Sequence, residues 1–216
     1  MKDFETLLSG EKVYTEKGVF GISTDSLLLA DFINIKKTDA AADIGAGCGV
    51  LGFSVSKKAK SCLFIDRDPA ATALIEKSIS ENGLFGRFET LTADASELPK
   101  ELYGRFDAVL CNPPYYFGDG REPLDEKRLA ARHGDLGVFT EAAARLLKNG
   151  GRFFAVYPAE KLFSFSSLCE KNGLSVKRLR FARKNRESAP FIFLAEARKG
   201  GGAGVKIESD VFTEGF

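Results

Sequence analysis

The chain has one histidine, His133, no tryptophan and one methionine, and its four cysteines at 48, 62, 111 and 169 include no CxxC pair. One histidine argues against hydrolases that need a separate histidine base. The scattered cysteines exclude the usual zinc ligand sets and a disulfide framework, so no metal is expected. The thiols read as reduced cysteines of a cytosolic protein. No apolar stretch approaches the roughly 20 residues of a membrane span. The opening MKDFETLLSGEK is charged where a signal peptide has its apolar segment, so neither secretion nor membrane insertion is expected. What remains is ordinary globular composition: 216 residues, 44% hydrophobic, net charge +1. That length suits one large α/β domain with ample core.

The small net charge hides an asymmetry. Residues 1–144 hold 17 basic and 23 acidic side chains, whereas 145–216 hold 14 and 7. The excess peaks at Lys177, Arg178, Arg180, Arg183, Lys184 and Arg186. Two readings stand side by side: a surface that binds a phosphate-bearing partner, or an edge strand kept from aggregating by its charges.

Short apolar runs alternate with helical patterns through the middle of the chain, the signature of a parallel sheet flanked by helices. Strands are predicted at Ala40–Ile44, Cys62–Ile65, Phe88–Leu91, Phe106–Leu110 and Arg152–Tyr157, and Leu174–Phe181 and Pro190–Ala197 read as a closing antiparallel pair. Helices are predicted at Ser26–Phe32 (capped by Thr24 or Asp25), Val50–Lys57, Ala70–Glu81, Leu136–Leu147 and Lys161–Lys171. Asp68-Pro69 is a strong helix start, and Asn82-Gly83 and Asn172-Gly173 are helix stops. The expected organisation is an N-terminal extension, 1–39, packed on the cofactor side of a domain spanning 40–216.

Four sites carry chemistry. The first is Asp43-Ile-Gly-Ala-Gly-Cys-Gly49, between an apolar strand and a helix, where glycines let the backbone approach a ligand. Gly47-Cys-Gly49-Val-Leu-Gly52 matches GxGxxG literally. The match is out of register, because the strand already ends at Ile44-Gly45. A carboxylate at that strand end suits a cationic cofactor better than a pyrophosphate. The second is Asp66, 23 residues after Asp43 at the end of the next strand, placed to accept from both hydroxyls of a ribose. The third is Asp94, which reads either as an acceptor for an exocyclic adenine amine or as a loop acid that caps a turn. The fourth and most specific is Asn112-Pro113-Pro114-Tyr115 after an apolar strand. Two prolines fix the backbone and leave carbonyls without neighbouring N–H partners. The Asn112 carbonyl and the Pro113 carbonyl can accept both protons of a planar NH2 group, which localises the nitrogen lone pair, while Tyr115 offers a stacking face.

DIGAGCG, Asp66, Asp94 and NPPY together resemble class I S-adenosylmethionine-dependent methyltransferases acting on planar NH2 groups. The lead-in Gly21–Phe32, Ala131-Arg-His133, Glu196–Gly200 and Val211–Glu214 look like the bacterial tRNA(Val) adenine-N6 methyltransferases. That resemblance implies an α/β Rossmann-like fold: a seven-stranded, mostly parallel sheet with helices on both faces and an antiparallel C-terminal strand pair. It implies Asp43, Gly45 and Gly47 at the methionine end of S-adenosylmethionine, Asp66 at its ribose and Asp94 at its adenine. Asn112, Pro113, Pro114 and Tyr115 would then hold the target base, with Asn112 also beside the cofactor. The implied activity is methyl transfer to adenine N6 in tRNA, at the adenosine beside the valine anticodon, by a cytoplasmic monomer, with Lys177, Arg178, Arg180, Arg183, Lys184 and Arg186 expected to hold the RNA phosphates. Glutamine-N5 methylation of a release factor, or an idle RNA-binding module, are the alternatives. The chain departs from the family at Gly134-Asp135, where a Glu is usual after Arg-His; His133 is read as structural or as a phosphate contact.

Overall fold

The computed structural model describes residues 4–15, 21–113 and 136–214, so Pro114, Tyr115 and His133 lie outside the described residues. Apolar strands pair in the middle of the chain because runs such as Ala40–Ile44 and Phe106–Cys111 are buried on both faces and need helices above and below. In chain order, β1 (Phe4–Thr6) and β2 (Lys12–Tyr14) form a small antiparallel ribbon. There follow α1 (Thr24–Phe32), β3 (Ala40–Ile44), α2 (Val50–Ser54), β4 (Ser61–Asp66), α3 (Pro69–Glu81), β5 (Phe88–Thr92) and β6 (Phe106–Cys111). The second half holds α4 (Leu136–Leu146), β7 (Leu147–Pro158), α5 (Leu162–Lys171), β8 (Leu174–Arg183), β9 (Ile192–Lys199), β10 (Lys206–Ile207) and β11 (Val211–Phe212).

The main sheet runs β10-β8-β9-β7-β6-β3-β4-β5, with β11 also on β8. Among the described residues only β9 is antiparallel to its neighbours, lying between β7 and β8. The described part of the sheet has nine strands where seven were expected, because two-residue β10 and β11 dock parallel to β8 on its outer edge. Chain order reverses at β3, flanked by β4 and β6, which opens a crevice at the carboxyl ends of these strands.

Two apolar layers cover the sheet. Leu28, Leu29, Phe32, Phe53 and Phe64 fill one face, and Phe139, Phe153, Phe165 and Phe193 the other. Each such side chain contributes about 1.5–3 kcal/mol on burial. The N-terminal segment belongs to this core: Val13 is buried, and the β2 amides of Lys12 and Tyr14 donate to Asn82 Oδ1 and Ser78 Oγ of α3.

Local signals set most helix ends. Asp68 caps α3 by accepting from the Ala70 amide, with Pro69 at the first helical position. Helix α1 is capped by Ser23, which accepts from the Ser26 amide, and not by Thr24 or Asp25. Helix α2 stops at Ser54, one turn before the predicted end, and continues as turns to Lys58. Strand β7 begins at Leu147: Phe106 pairs with Leu147 and Ala108 with Arg152, so Lys148–Gly151 bulge from the ladder where a helix terminus alone was expected.

Candidate active site

The carboxyl end of β3 turns through Gly45, Gly47 and Gly49, with φ of 66°, 55° and 84°. Side chains there would be strained, so the loop presents bare backbone. The amides of Gly45 and Ala46 both donate to Ile65 O of β4, at 2.8 and 3.1 Å. The Gly47 amide donates to Asp66 Oδ2 at 2.8 Å.

Asp43 is 1% exposed and accepts from the Gly52 amide at 2.8 Å, so its carboxyl group ties α2 to β3. Burial pushes its pKa up to about 8; the Gly52 bond opposes this and the neighbouring Asp66 charge adds to it. Asp66 stands at the end of β4. Its Oδ1 accepts from the Asp68 amide and its Oδ2 from Gly47. Each oxygen keeps a lone pair for a hydroxyl donor. Asp94 lies two residues past β5, and its Oδ1 accepts from the hydroxyl and amide of Ser96 at 2.6 and 2.8 Å. Those two bonds, helped by Arg67, hold its carboxyl below the usual range despite some desolvation. The structure thus gives Asp94 the turn-capping role and keeps it at the third successive strand end.

Asn112 follows β6 on the other side of β3 and is half-buried. Its Nδ2 donates to Ser26 Oγ at 2.9 Å and reaches Ser23 Oγ at 3.5 Å. Those hydroxyls are 3.1 Å apart in the first turn of α1. The amide nitrogen is thereby engaged by α1. Pro113 is buried beside it. Sequence reasoning missed Ser23 and Ser26, because nothing local ties residues 86 and 89 positions away to Asn112. With neighbouring strands roughly 4.8 Å apart, Asn112 and Asp94 bracket a crevice about three strand spacings wide. A bare glycine turn, the carboxylates of Asp66 and Asp94 and the side-chain amide of Asn112 can together hold an elongated cationic nucleoside beside a planar amine.

The C-terminal basic run is largely neutralised within the fold. Arg178 pairs with Glu196 at 2.5 Å and Glu208 at 3.0 Å, Arg180 with Asp31 and Glu208 at 3.0 and 2.9 Å, and Arg183 with Asp210 at 2.5 Å. Arg178 and Arg180 also lie over the Phe32 ring. Lys177 donates to the carbonyls of Gly202, Ala203 and Gly204. Lys184 and Arg186 remain exposed in the β8–β9 turn. The six do not form one free surface; four of them tie β8 to α1 and to the chain after β9.

The methyltransferase small-domain family matches residues 10–171. A tRNA1(Val) (adenine(37)-N6)-methyltransferase of Shewanella amazonensis is 33% identical over 163 residues, 72% of this chain and 68% of the relative. One from Phocaeicola vulgatus is 26% identical over 182 residues, 82% of this chain and 76% of the relative. The matched segment therefore spans about two thirds to three quarters of these relatives' length. In fold, the chain is similar to a predicted O-methyltransferase of Agrobacterium tumefaciens, with TM-score 0.71, 19% identity and coverage of 88% and 87%. It is also similar to the Thermus thermophilus 16S rRNA N2 G1207 methyltransferase solved with AdoMet and guanosine, with TM-score 0.68 and 22% identity over 92% of this chain and 50% of that one. With a crevice of acids and glycines at the switch point of its sheet, the chain belongs to the methyltransferase small-domain family, among the tRNA1(Val) (adenine(37)-N6)-methyltransferases.

Proposed function

We propose that the enzyme transfers a methyl group from S-adenosylmethionine to N6 of an adenine in tRNA, the adenosine at position 37 of valine tRNA, acting as a cytoplasmic monomer. The observation that carries this reading is the orientation of Asn112, whose amide nitrogen is held by Ser26 so that its oxygen is left to accept. Asn112 Oδ1 and the Pro113 carbonyl would then accept hydrogen bonds from both N6 protons, which localises the attacking lone pair on nitrogen; the methylated nitrogen afterwards loses one proton to solvent. Asp66 would accept from the ribose hydroxyls and Asp94 from the adenine amine of the donor, while Gly45 and Gly47 would admit its methionine end. Asp43 acts one step back, fixing the turn through Gly52. When bound, S-adenosylmethionine supplies an electrophilic methyl on a sulfonium. The residues supply orientation and charge complementarity, which are worth most when pre-arranged. The segment 1–39 contributes the wall of the site, supported by the Ser26 contact. Pro114 and Tyr115 complete the base clamp in this reading. An anticodon-loop base is partly unstacked already, which lowers the cost of extruding it.

The test is Asn112→Ala. Turnover on a valine tRNA transcript, followed as N6-methyladenosine by nucleoside mass spectrometry, is expected to fall by orders of magnitude while S-adenosylmethionine affinity stays near wild type. Normal turnover in this variant would sink the reading.

A further inference from the structure

Besides Lys184 and Arg186 of the C-terminal run, a larger group of cations without ion pairs among the described residues lies elsewhere. At the amino ends of β3, β4, β5 and β6, on the edge of the sheet opposite the glycine turn, an open cleft of about 830 Å³ is lined by Lys37, Lys57, Lys58, Lys60, Arg87 and Arg105. These six are scattered over 69 positions of a sequence half whose acids outnumber its bases, and only β-sheet pairing gathers them. All six are exposed. Among the described residues none of them makes an ion pair; Lys57 and Arg87 bond to main-chain carbonyls of Ser9, Ser56, Ala59 and Lys60. Glu89 is the single acid in the lining. Of the acids near this edge, Asp39 and Asp107 are already matched to Arg152 and Lys148.

Six like charges around one cleft repel one another, and screening by salt relieves this only in part. A chain that pairs Arg178, Arg180 and Arg183 with nearby carboxylates yet leaves these six open has the electrostatics of a surface completed by a polyanion. We propose that this cleft binds the phosphodiester backbone of RNA, away from the base that is methylated. From Ala40, in the cleft, to Gly45, at the active site, the β3 segment covers five residue steps, roughly 17 Å at about 3.3 Å each. A hairpin that offers one loop base to the carboxyl edge of the sheet carries its stem phosphates along the flank toward the amino edge. Contacts there give affinity and register without base choice. This inference rests on the tRNA reading above and assigns the substrate's second point of attachment.

The experiment uses the full chain with Lys58→Glu, Lys60→Glu and Arg105→Glu combined, all exposed positions outside the active site. Filter binding of a valine tRNA transcript over a range of salt is expected to show about a tenfold or greater loss of affinity. The slope of log affinity against log salt should flatten by about two units, near the 0.7–0.9 per phosphate of counterion release. The tRNA KM should rise with kcat at saturating tRNA and S-adenosylmethionine affinity unchanged. An unchanged slope in a folded variant overturns the proposal. So does loss of inorganic phosphate or tripolyphosphate binding with tRNA affinity intact, which would make the cleft a small-anion site. If wild-type protein binds tRNA through the cleft but does not methylate it, the active-site reading fails and the cleft stands.

Discussion

Gly52→Ala sets two opposing effects against each other at one atom. Alanine is favoured over glycine inside a helix by about 1 kcal/mol, so propensity alone predicts a more stable α2. The structure predicts the reverse. A Cβ on Gly52 would lie 2.2 Å from Phe64 Cε1, 2.7 Å from Cζ and 2.9 Å from Cδ1. Phe64 is fully buried and cannot swing away, since Phe53 and Phe88 pack on it with ring centroids at 4.8 and 6.0 Å. Relief requires α2 to lift from the sheet, which lengthens the buried bond from the Gly52 amide to Asp43. Overpacking of this kind costs about 1–3 kcal/mol, and weakening a hydrogen bond to a buried carboxyl group adds about 1–2 kcal/mol. The net expectation is a loss of roughly 1–4 kcal/mol, seen as a lower urea midpoint at unchanged m-value. Phe64→Leu in the same chain should return at least about 1 kcal/mol relative to the sum of the single changes. A Gly52→Ala protein as stable as wild type would show that α2 slides freely and that Gly52 has no packing role.

The remaining predictions concern the acids and the hydroxyls. Asp66→Ala should weaken S-adenosylmethionine binding, since two ribose hydrogen bonds to a charged acceptor are worth about 1.5–3 kcal/mol each before water compensates. Unchanged calorimetric affinity would remove the ribose assignment. Asp43, with its folded pKa raised to about 8, stays protonated in the native chain where the unfolded chain has already ionised. Its contribution is full below about pH 4 and is lost as pH rises toward 8. Asp43→Asn keeps an acceptor for Gly52, so its stability relative to wild type should climb between pH 5 and 8 by a few kcal/mol, and parallel urea midpoints across that range would refute the burial account. Ser26→Ala should lower kcat about fivefold to tenfold, the worth of one hydrogen bond, with cofactor affinity unchanged and Ser26→Thr restoring it. Added to Asn112→Ala it should change nothing further; an additive loss would mean that Ser26 acts otherwise.

Several features were legible from local chemistry alone. Asp68-Pro69 and Asn82-Gly83 bound α3 because a cap and a stop depend on residues within one turn. The positive φ values of Gly45, Gly47 and Gly49 follow from glycine spacing at a strand end, and Asp66 and Asn112 stand at strand ends because mostly apolar runs of six residues lead to them, while Asp94 lies two residues past the more polar β5. The sequence by itself therefore determined the alternation of elements, the parallel sheet and the order of the candidate residues along the crevice. Tertiary structure alone decided which charges are free and which way side chains turn. Lys177–Arg183 look like an open basic surface in the chain, yet Asp31, Glu208 and Asp210 come from distant segments to pair with its arginines. Six bases from four separate segments meet at the amino edge, and Ser26 reaches Asn112 across 86 positions. Charge pairing and amide orientation are set by distances of a few ångströms between residues far apart in sequence, and only the register of the strands brings those residues within reach.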